Sequence, residues 1–398
     1  MLKPHILIAG GGIAGISAAL ALEQNGFSVT VFEKAVEAQQ SGAGLQLTPN
    51  ATRLLGKMGV LPRLVNLAVP VDAIVLASGR TAKPLLTLNV GNAVERWRAP
   101  YLAVYRADLY AALRDEAKSR AAITIHPGSE VTDFAAHANG VTVSVTSDKG
   151  ISEAEGMFLV GADGVWSNLR ARLSVEGASF SGSVAYRKML RADMLLPAAL
   201  RALLDGRQVG AFIAPKAHLV AYPLRNCSTL NLVAITRGAR SETDWNGRGS
   251  NVALPSEFGL LEPELAQFLM KLRDWSSYLI HIMKPDQKWS DGRSMMLIGD
   301  AAHAMAPFGA QGAAMAIEDA WTLAACLAAH RSEPTLALPA YENLRRQRIK
   351  HIARRTEINR FAYHADGLTA TVRDRVFRTF SGKFMDGLDW IYAFDAAA

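Results

Sequence analysis

His218 and Tyr222 stand four residues apart in one apolar stretch of this chain, Ala-His-Leu-Val-Ala-Tyr-Pro. The stretch is typical of a β-strand, and an even spacing on a strand places both side chains on one face. An imidazole with a pKa near neutrality can accept the proton of a bound phenol. We therefore predict that His218 and Tyr222 converge on a small molecule if this face lines a cavity. A histidine on an exposed strand face is the alternative.

A glycine-rich turn near the start of the chain has the spacing of a dinucleotide-binding site. Gly10, Gly12 and Gly15 form the pattern G-x-G-x-x-G between an apolar strand and an apolar helix. The first glycine allows the tight turn, the second lets the backbone approach a pyrophosphate, and the third lets the helix pack closely on the sheet. Glu33 ends the next predicted strand, where a carboxylate can hydrogen-bond a ribose. A glycine turn without a ligand is the alternative.

Three further short motifs follow strands or open helices downstream of the glycine turn. Asp163 and Gly164 follow an apolar run, and Asp300 ends the run Met-Met-Leu-Ile-Gly-Asp. Arg106 opens a predicted helix. Taken singly, each is also compatible with a turn, a helix N-cap or a surface arginine. Together with the glycine turn they predict a bound FAD.

With these motifs in this order, the chain resembles the FAD-dependent aromatic hydroxylases with a single dinucleotide domain, the group of 4-hydroxybenzoate hydroxylase. Within that group it is similar to salicylate hydroxylase, 3-hydroxybenzoate 6-hydroxylase and 6-hydroxynicotinate 3-monooxygenase, over nearly the whole chain. The resemblance implies an enzyme that uses NADH or NADPH and dioxygen to hydroxylate a small phenolic or hydroxy-heteroaromatic compound through a flavin C4a-hydroperoxide. An FAD-dependent reductase of the same fold and a non-catalytic flavin-binding module remain open as alternatives.

The resemblance also implies which residues hold the cofactor. Glu33 is expected at the adenosine ribose and Asp300 at the ribityl chain. Gln311 and Gly312 are expected at the pyrimidine end of the isoalloxazine, where N–H groups at a helix start can stabilise the reduced ring. The full expected set is Gly10, Gly12, Ala14, Gly15, Glu33, Lys34, Gly44, Arg106, Asp163, Gly164, Asp300, Pro307, Gln311, Gly312 and Ala313, of which Asp163 and Gly164 also serve the nicotinamide.

The resemblance places His218 and Tyr222 in the substrate pocket as catalytic residues. It adds four residues expected to bind substrate, namely Gln46, Arg187, Pro307 and Phe308. Gln46 occupies a position that is histidine in 6-hydroxynicotinate 3-monooxygenase, and this departure argues against a pyridine substrate. Arg187 is a candidate for binding a substrate carboxylate, and a structural role for this arginine is equally compatible with its context.

The order of the predicted elements indicates an α/β protein. A βαβ unit comes first, alternating strands follow, and long helices come towards the end. This order predicts a discontinuous Rossmann-like FAD-binding domain, an inserted and mostly antiparallel β-sheet substrate domain, and C-terminal helices. The expected boundaries are 1–70, 100–177 and 271–360 for the FAD-binding domain, 71–99 and 178–270 for the substrate-binding sheet domain, and 361–398 for the C-terminal helical segment.

The composition bears on other classes of protein. Half of the 398 residues are hydrophobic, and the two cysteines lack metal-site spacing, so we expect free thiols and no metal. The apolar stretch 13–22 is too short to span a bilayer, and no leader precedes it, which predicts a cytoplasmic protein without a membrane partner. We expect a monomer or a homodimer.

The formal net charge is +7, and much of it lies in one predicted helix. Its basic residues are Arg345, Arg346, Arg348, Lys350, Arg354 and Arg355. No aromatic residues interleave with them in a stacking pattern, so we expect a solvated helix face and no nucleic-acid partner. A mild positive field would still favour anionic substrates and nicotinamide phosphates.

Overall fold

The computed structural model describes residues 3–37, 43–173, 175–238, 249–284 and 286–397. Its strands are β1 His5–Ala9, β2 Ser28–Glu33, β3 Gly44–Leu47, β4 Val69–Pro70, β5 Ala73–Ser78, β6 Pro84–Asn89, β7 Leu102–Tyr105, β8 Ile123–Pro127, β9 Ser129–His137, β10 Gly140–Ser147, β11 Gly150–Gly156, β12 Phe158–Gly161, β13 Ser179–Arg191, β14 Gln208–Ala214, β15 Ala217–Leu224, β16 Thr229–Arg237, β17 Gly249–Val252, β18 Trp275–Ile282 and β19 Met295–Leu297.

Its α-helices are α1 Ile13–Gln24, α2 Pro49–Lys57, α3 Leu61–Val65, α4 Ala93–Trp97, α5 Arg106–Lys118, α6 Asn168–Arg172, α7 Ala198–Asp205, α8 Pro263–Lys271, α9 Asp300–His303, α10 Gly312–Ala329, α11 Ala337–Tyr363, α12 Gly367–Thr379, α13 Ser381–Asp386 and α14 Asp389–Tyr392. Short 3-10 helices cover Ser256–Leu260, Pro307–Gly309 and Pro334–Leu336.

A parallel sheet of five strands lies at the centre of the predicted FAD-binding domain. Its order is β19–β12–β1–β2–β8, and every neighbouring pair is parallel. The strand residues Ile6, Leu7 and Ile8 are each at most 1% exposed, because helix α1 and strands β9, β10 and β11 pack against the sheet. Helix α1 packs on this sheet between α5 and α10. The Rossmann-like part of the predicted fold is thus confirmed.

Helix α10 is a core helix. Among the described residues it is the one helix that is long and apolar enough to cross a membrane by length and composition. In this fold 67% of it is buried, against α1, α2 and α11. Its apolar character is therefore explained by packing inside the protein.

The second large sheet has eight strands in the order β17–β18–β13–β16–β15–β14–β5–β6. Its neighbours are antiparallel except β14 and β5, which are parallel. One face buries a hydrophobic cluster with α7 and α8. The other face packs Ala185 and Ile235 against Phe308, which lies in the 3-10 helix Pro307–Gly309 before α10. The inserted, mostly antiparallel sheet is thus confirmed, and its second face borders the FAD-binding domain.

The eight-stranded sheet continues past the boundary expected at residue 270. Strand β18 pairs with β13 and with β17 and so belongs to this sheet as far as Ile282. At the other expected boundary, residue 360, helix α11 continues to Tyr363. The remaining strands form two smaller antiparallel sheets, β11–β10–β9 and β3–β7–β4.

The expectation of a solvated basic face on α11 is wrong for two of its arginines. The side chains of Arg345 and Arg348 are 1% and 6% exposed. Both form ion pairs with Glu318 on α10, and Arg345 also pairs with Asp319. Two acids inside an apolar helix need cationic partners when that helix is buried, and α11 supplies them.

Candidate active site

The glycine turn between β1 and α1 has the conformation that its spacing predicts. Gly10 has φ +101°, and a Cβ there would collide with the carbonyl oxygen of Ala162. A Cβ at Gly15 would collide with the carbonyl oxygen of Gly10. A Cβ at Gly12, in contrast, would meet no atom within 4 Å. The turn is therefore tightly packed except at Gly12, where a pyrophosphate is expected to approach the backbone.

The carboxylate of Glu33 is fixed beside this turn. It accepts hydrogen bonds from the backbone N–H groups of Gly11 at 2.6 Å and Ala35 at 2.8 Å. These bonds hold the acid at the end of β2, the position of a ribose-binding carboxylate in a dinucleotide fold. The neighbouring Lys34 is exposed.

The second turn, between β19 and α9, packs against the first. Gly299 has φ +58°, and a Cβ there would lie 3.0 Å from the Cβ of Ala14 and 3.3 Å from that of Ala316. A residue with a side chain would be strained in this conformation and crowded at this distance. Asp300 follows as the first residue of α9, with an exposed side chain. One elongated ligand can therefore contact both turns.

Asp163 has a buried oxygen atom that lacks a partner. Its Oδ2 accepts from the backbone N–H of Leu169 at 3.2 Å, whereas its Oδ1 has no hydrogen-bond partner among the described residues. Gly164 follows with φ +82°, and a Cβ there would meet no atom within 4 Å. Buried carboxylate oxygens are normally hydrogen-bonded, and a hydroxyl of a bound nucleotide would supply the missing donor. Together with the two turns and Glu33, this arrangement fits FAD.

Replacing Gly12 by valine should give a folded protein that does not hold FAD. A Cβ at this position meets no protein atom within 4 Å, so the fold should tolerate it, but the side chain would fill the space that the pyrophosphate needs. Flavin absorbance per protein and far-UV circular dichroism separate the two effects. Gly177→Val is the control, because Gly177 also has open space around its Cβ but lies outside the turn. A Gly12→Val protein with a full complement of FAD would contradict the assignment.

The side chain of Gln311 is used inside the protein. Its Nε2 donates to the hydroxyl of Thr48 at 3.1 Å, and its Oε1 accepts from Asn50 at 3.3 Å. Gln311 precedes α10 as its N-cap, and Gly312 and Ala313 are its first two residues. The first N–H groups of a helix have no partner within the helix and carry a partial positive charge. The backbone N–H groups at this helix start are thus available to a flavin, and the flavin contacts of Gln311 and Gly312 stay predictions.

A buried polar cluster lies beneath these turns, and sequence analysis did not find it. We call Asn50, His303, Glu318, Asp319, Arg345 and Arg348 the buried ion cluster. Asp319 accepts from the N–H of Gly299 at 2.9 Å, from His303 at 2.5 Å and from Arg345 at 2.8 Å. The cluster therefore anchors the turn that precedes Asp300. Its signal in the sequence is two adjacent acids in the otherwise apolar helix α10.

Four polar side chains lie near one another on the second face of the eight-stranded sheet. His218 and Tyr222 lie on this face of β15, on one side of the strand as their spacing predicts. Asn231 on β16 lies directly opposite Tyr222, so it shares this face. Arg187 on β13 lies opposite Val233. Val233 lies opposite Val220, which is between His218 and Tyr222 on β15, so Arg187 shares the face as well. We call His218, Tyr222, Asn231 and Arg187 the polar face. Val220 and Val233 lie on the same face, between His218 and Tyr222 and between Asn231 and Ile235 respectively.

His218 is held by aromatic neighbours and by a second histidine. Its Nδ1 lies 2.8 Å from Nε2 of His364. The rings of Phe308 and Tyr363 are each 5.3 Å from the imidazole, measured between ring centroids. Burial, and then the neighbouring His364, lowers the pKa of His218 well below its usual 6.5. The imidazole is therefore neutral at physiological pH and has a lone pair with which to act as a base.

Tyr222 and Asn231 lie against the start of β3. A Cβ at Gly44 would come within 2.7 Å of the Tyr222 ring, so only glycine fits there. The N–H of Gly44 donates to Oδ1 of Asn231 at 3.1 Å, while the buried Nδ2 of Asn231 has no partner among the described residues. Burial raises the pKa of Tyr222, which therefore presents a neutral hydroxyl. Glycine at position 44 thus allows β3 to pack directly against the polar face.

Arg187 has no acidic partner among the described residues. Its guanidinium stacks on the ring of Tyr278 at 4.7 Å. Burial lowers the pKa of this arginine, and the nearby charge of Arg106 lowers it further. A partly buried cation of this kind is stabilised by an anion. The polar face therefore includes a site for a negatively charged group.

Four further residues were predicted to contact the substrate or the cofactor. The side chains of two of them contact other residues of the protein, and two residues are exposed. Gln46 on β3 accepts a hydrogen bond from the hydroxyl of Tyr101 at 2.7 Å, and Phe308 is buried against His218. Pro307 and Arg106 are exposed. Arg106 begins α5, and its N–H donates to the carbonyl of Ala43 at 2.9 Å. Their contacts with a ligand remain predictions.

Asn231 and His364 were not among the residues predicted for this site from the sequence. Asn231 was visible as the polar residue in the run Leu-Asn-Leu-Val-Ala, where a buried strand is expected to be apolar throughout. His364 follows a long helix, and nothing in its surroundings links it to His218, which lies 146 positions away.

The residues that the structure describes contain no cluster of three or more His, Cys, Asp or Glu side chains that could hold a metal ion. Cys227 and Cys326 are both free thiols, in agreement with the sequence prediction.

Comparison with known proteins agrees with this geometry. Residues 3–356 match a family model described as FAD binding domain. The chain is 34% identical to 3-hydroxybenzoate 6-hydroxylase of Klebsiella oxytoca over 97% of this chain and 96% of that protein. It is 32% identical to 3-amino-4-hydroxybenzoate 2-monooxygenase PtnB3 of Streptomyces platensis over 99% of this chain and 97% of that protein.

Solved structures show the same fold. HpxO of Klebsiella pneumoniae, in complex with FAD and uric acid, superposes with a TM-score of 0.81 at 23% identity, over 96% of this chain and 95% of that one. A salicylate hydroxylase substrate complex superposes with a TM-score of 0.80 at 20% identity, over 99% and 96% of the two chains. With the cofactor site described above, these matches show that FAD is the cofactor and that the chain belongs to the FAD-dependent aromatic hydroxylases, the group A flavoprotein monooxygenases.

Proposed function

We propose that this enzyme hydroxylates a small phenolic acid of the hydroxybenzoate or salicylate type, with NADH or NADPH as reductant and dioxygen as the oxygen source. The observation that carries the proposal is the position of Arg187. A guanidinium without an acidic partner among the described residues shares one sheet face with a neutral histidine and a neutral tyrosine. A carboxylate and a phenol on one aromatic ring would match these charges.

The printed names of the relatives support the same class. Those at 34% and 32% identity are monooxygenases of 3-hydroxybenzoate and of 3-amino-4-hydroxybenzoate. Both compounds carry a carboxylate and a phenol on one ring. The charge pattern of the polar face is therefore what a substrate of this class would need, whereas uric acid, bound in the HpxO complex, lacks a carboxylate.

Three residues of the polar face, together with Phe308 beside it, have distinct roles in this proposal. Arg187 binds the carboxylate and sets the orientation of the ring. His218 accepts the phenol proton, which makes the ring electron-rich enough to attack an electrophilic oxygen. Tyr222 donates a hydrogen bond from its neutral hydroxyl to the substrate. Phe308 packs against His218 and helps to exclude water.

The FAD site has complementary roles. When bound and reduced, FAD supplies the activated oxygen that this chemistry requires. Gly12 and the start of α1 would hold its pyrophosphate, Glu33 its ribose and Asp300 its ribityl chain. The start of α10 would stabilise negative charge on the reduced ring. We also propose that the enzyme acts in the cytoplasm.

A panel of matched compounds tests the proposal. Salicylate, 3-hydroxybenzoate and 3-amino-4-hydroxybenzoate carry both groups, phenol lacks the carboxylate, and benzoate lacks the hydroxyl. The measurements are NAD(P)H oxidation, dioxygen uptake and hydroxylated product. We expect coupled product formation only with compounds that carry both groups. NAD(P)H oxidation without dioxygen uptake would indicate a reductase, and a flavin that no nicotinamide reduces would indicate a non-catalytic module.

Arg187→Met should weaken binding of the phenolic acid while leaving FAD in place. Methionine keeps a similar apolar volume over Tyr278 but removes the charge. A charge-assisted hydrogen bond contributes about 1.5–3 kcal/mol, which corresponds to roughly a 10- to 150-fold rise in the substrate Kd. Arg187→Lys should recover part of this loss, because it restores a positive charge without the bidentate geometry. An unchanged Kd for the carboxylate compound in Arg187→Met would assign Arg187 a structural role.

A further inference from the structure

Two buried imidazoles touch each other at the edge of the polar face. Nδ1 of His218 lies 2.8 Å from Nε2 of His364, and the ring centroids are 5.0 Å apart. His218 is 1% exposed and His364 is 8% exposed. In a neutral pair one ring donates and the other accepts. The pair therefore has two tautomeric arrangements, which differ only in the nitrogen atoms that carry hydrogen.

A single buried histidine would be a poor final acceptor for the proton of a phenol. Burial, and then the neighbouring ring, lowers the pKa of His218, because an imidazolium there would lose its hydration. Burial, followed by the charges of Arg237 and Arg360, lowers the pKa of His364 to about 4. Neither ring holds a positive charge at neutral pH. A proton that leaves the substrate must therefore pass through the pair rather than stay on it.

The geometry points to a proton relay in which His364 takes the proton onward from His218, so that the substrate ionises without a charged imidazole in the core. The inference rests on the proposed function, since it needs a phenol at Nε2 of His218. The phenol O–H bond breaks and its proton binds Nε2 of His218. The proton on Nδ1 of His218 moves to Nε2 of His364, and the proton on Nδ1 of His364 leaves to water. Both rings are neutral before and after, and the products are a phenolate and a hydrated proton.

The surroundings of the two rings suit the two ends of this relay. Phe308 and Tyr363 cover His218, which keeps bulk water from the inner ring. His364 directly follows the last residue of α11 and is the more exposed ring of the two. The cationic side chains of Arg237, the last residue of β16, and Arg360, on α11, repel a proton that stays on His364. His364 is thus a positioning residue that acts through His218.

His364→Gln tests the relay, because glutamine can hydrogen-bond His218 but cannot exchange one N–H for another. With a hydroxybenzoate that the wild-type enzyme hydroxylates, we expect the hydroxylation rate to fall by about 10²-fold, the lower range for a proton-transfer group. Flavin content and the substrate Kd should stay unchanged. The appearance of phenolate absorbance after stopped-flow mixing should slow by the same factor. In His364→Ala, added imidazole should restore part of the rate.

His351→Gln is the matched control. His351 lies on α11, the helix that ends immediately before His364, and is exposed. Its substitution should leave the hydroxylation rate and the phenolate signal as in wild type. An equal loss in His351→Gln and His364→Gln would mean that the helix, and not the relay, was disturbed, and would overturn the inference.

Nitrogen NMR of the histidines in the wild-type enzyme is a second measurement, which does not depend on the folding of a variant. With a phenolic acid bound, hydrogen is expected on Nε2 of both His218 and His364. With the methoxy analogue, which has no proton to lose, hydrogen is expected on Nδ1 of both rings. The same tautomers with both ligands, or an imidazolium signal from either ring at neutral pH, would overturn the relay.

Failure of the relay and failure of the proposed function give different results. If the wild-type enzyme hydroxylates no compound of the panel, the proposed function is wrong and the relay with it. If the wild-type enzyme hydroxylates a phenolic acid, and His218→Gln is slow while His364→Gln equals wild type, the relay is wrong and the proposed function stands.

Discussion

His218→Ala should slow hydroxylation of the true substrate by about 10²–10⁴-fold, the usual contribution of a general base, while FAD stays bound. The substitution removes the proton acceptor of the phenol and leaves a gap between Phe308 and Tyr363. A ring that is poorly activated and poorly placed captures less of the activated oxygen, so more NAD(P)H should be consumed without product. The decisive measurement is hydroxylated product per NAD(P)H consumed, alongside flavin content.

Tyr222→Phe is the graded comparison for this prediction. It removes one hydroxyl from the same sheet face and keeps the ring that packs against Gly44. We expect a smaller loss than in His218→Ala, no more than about 3 kcal/mol in the free energy of the transition state. Wild-type turnover and coupling in His218→Ala would remove the catalytic assignment and leave this histidine as a packed core residue.

The parts of the site that local sequence encodes were predictable. The glycine turn, with Glu33 at the end of the next strand, is specified within about thirty residues, because a strand, a turn and a helix in sequence fix their own geometry. The common face of His218 and Tyr222 follows from the period of two in a single strand. The strand–turn pair ending at Asp300 was recognisable for the same reason.

The parts that depend on pairing between distant elements were not predictable from one chain. The positions of Asn231 and Arg187 on the polar face depend on the register of β16 and β13 against β15, and a shift by one residue would turn both side chains to the other face. His364 reaches His218 only because α11 ends beside the sheet. The basic pattern of α11 predicted a solvated face, and α10 proved to supply acids for Arg345 and Arg348.

The buried ion cluster leads to the second large prediction, which concerns stability. Asp319 is 0% exposed and accepts from Gly299, His303 and Arg345. Burial alone would raise the pKa of this carboxyl, but His303, Arg345 and the backbone N–H lower it below its usual range. The fold therefore stabilises the ionised form of Asp319. The donors of Gly299, His303 and Arg345 all depend on this carboxylate as their acceptor.

Asp319→Ala should lower the free energy of unfolding by about 3–5 kcal/mol, because removing one partner of a buried ion pair leaves the other charges uncompensated. It should also weaken FAD binding, since the N–H of Gly299 loses its acceptor next to Asp300. Urea unfolding of the flavin-free protein and an FAD titration measure the two effects. Asp319→Asn should fall between wild type and Asp319→Ala, because it keeps an acceptor but not the charge.

Asp193→Ala is the matched control for the buried ion cluster. Asp193 also forms an ion pair, with Arg191 at 2.5 Å, but the two side chains are 62% and 79% exposed. Water replaces such a partner, and salt screens such a pair, so the urea midpoint and the FAD affinity should not change. Equal destabilisation by Asp193→Ala and Asp319→Ala would contradict the argument from burial. Loss of stability in Asp319→Ala with unchanged FAD affinity would show that the cluster supports the helices but not the turn at Gly299.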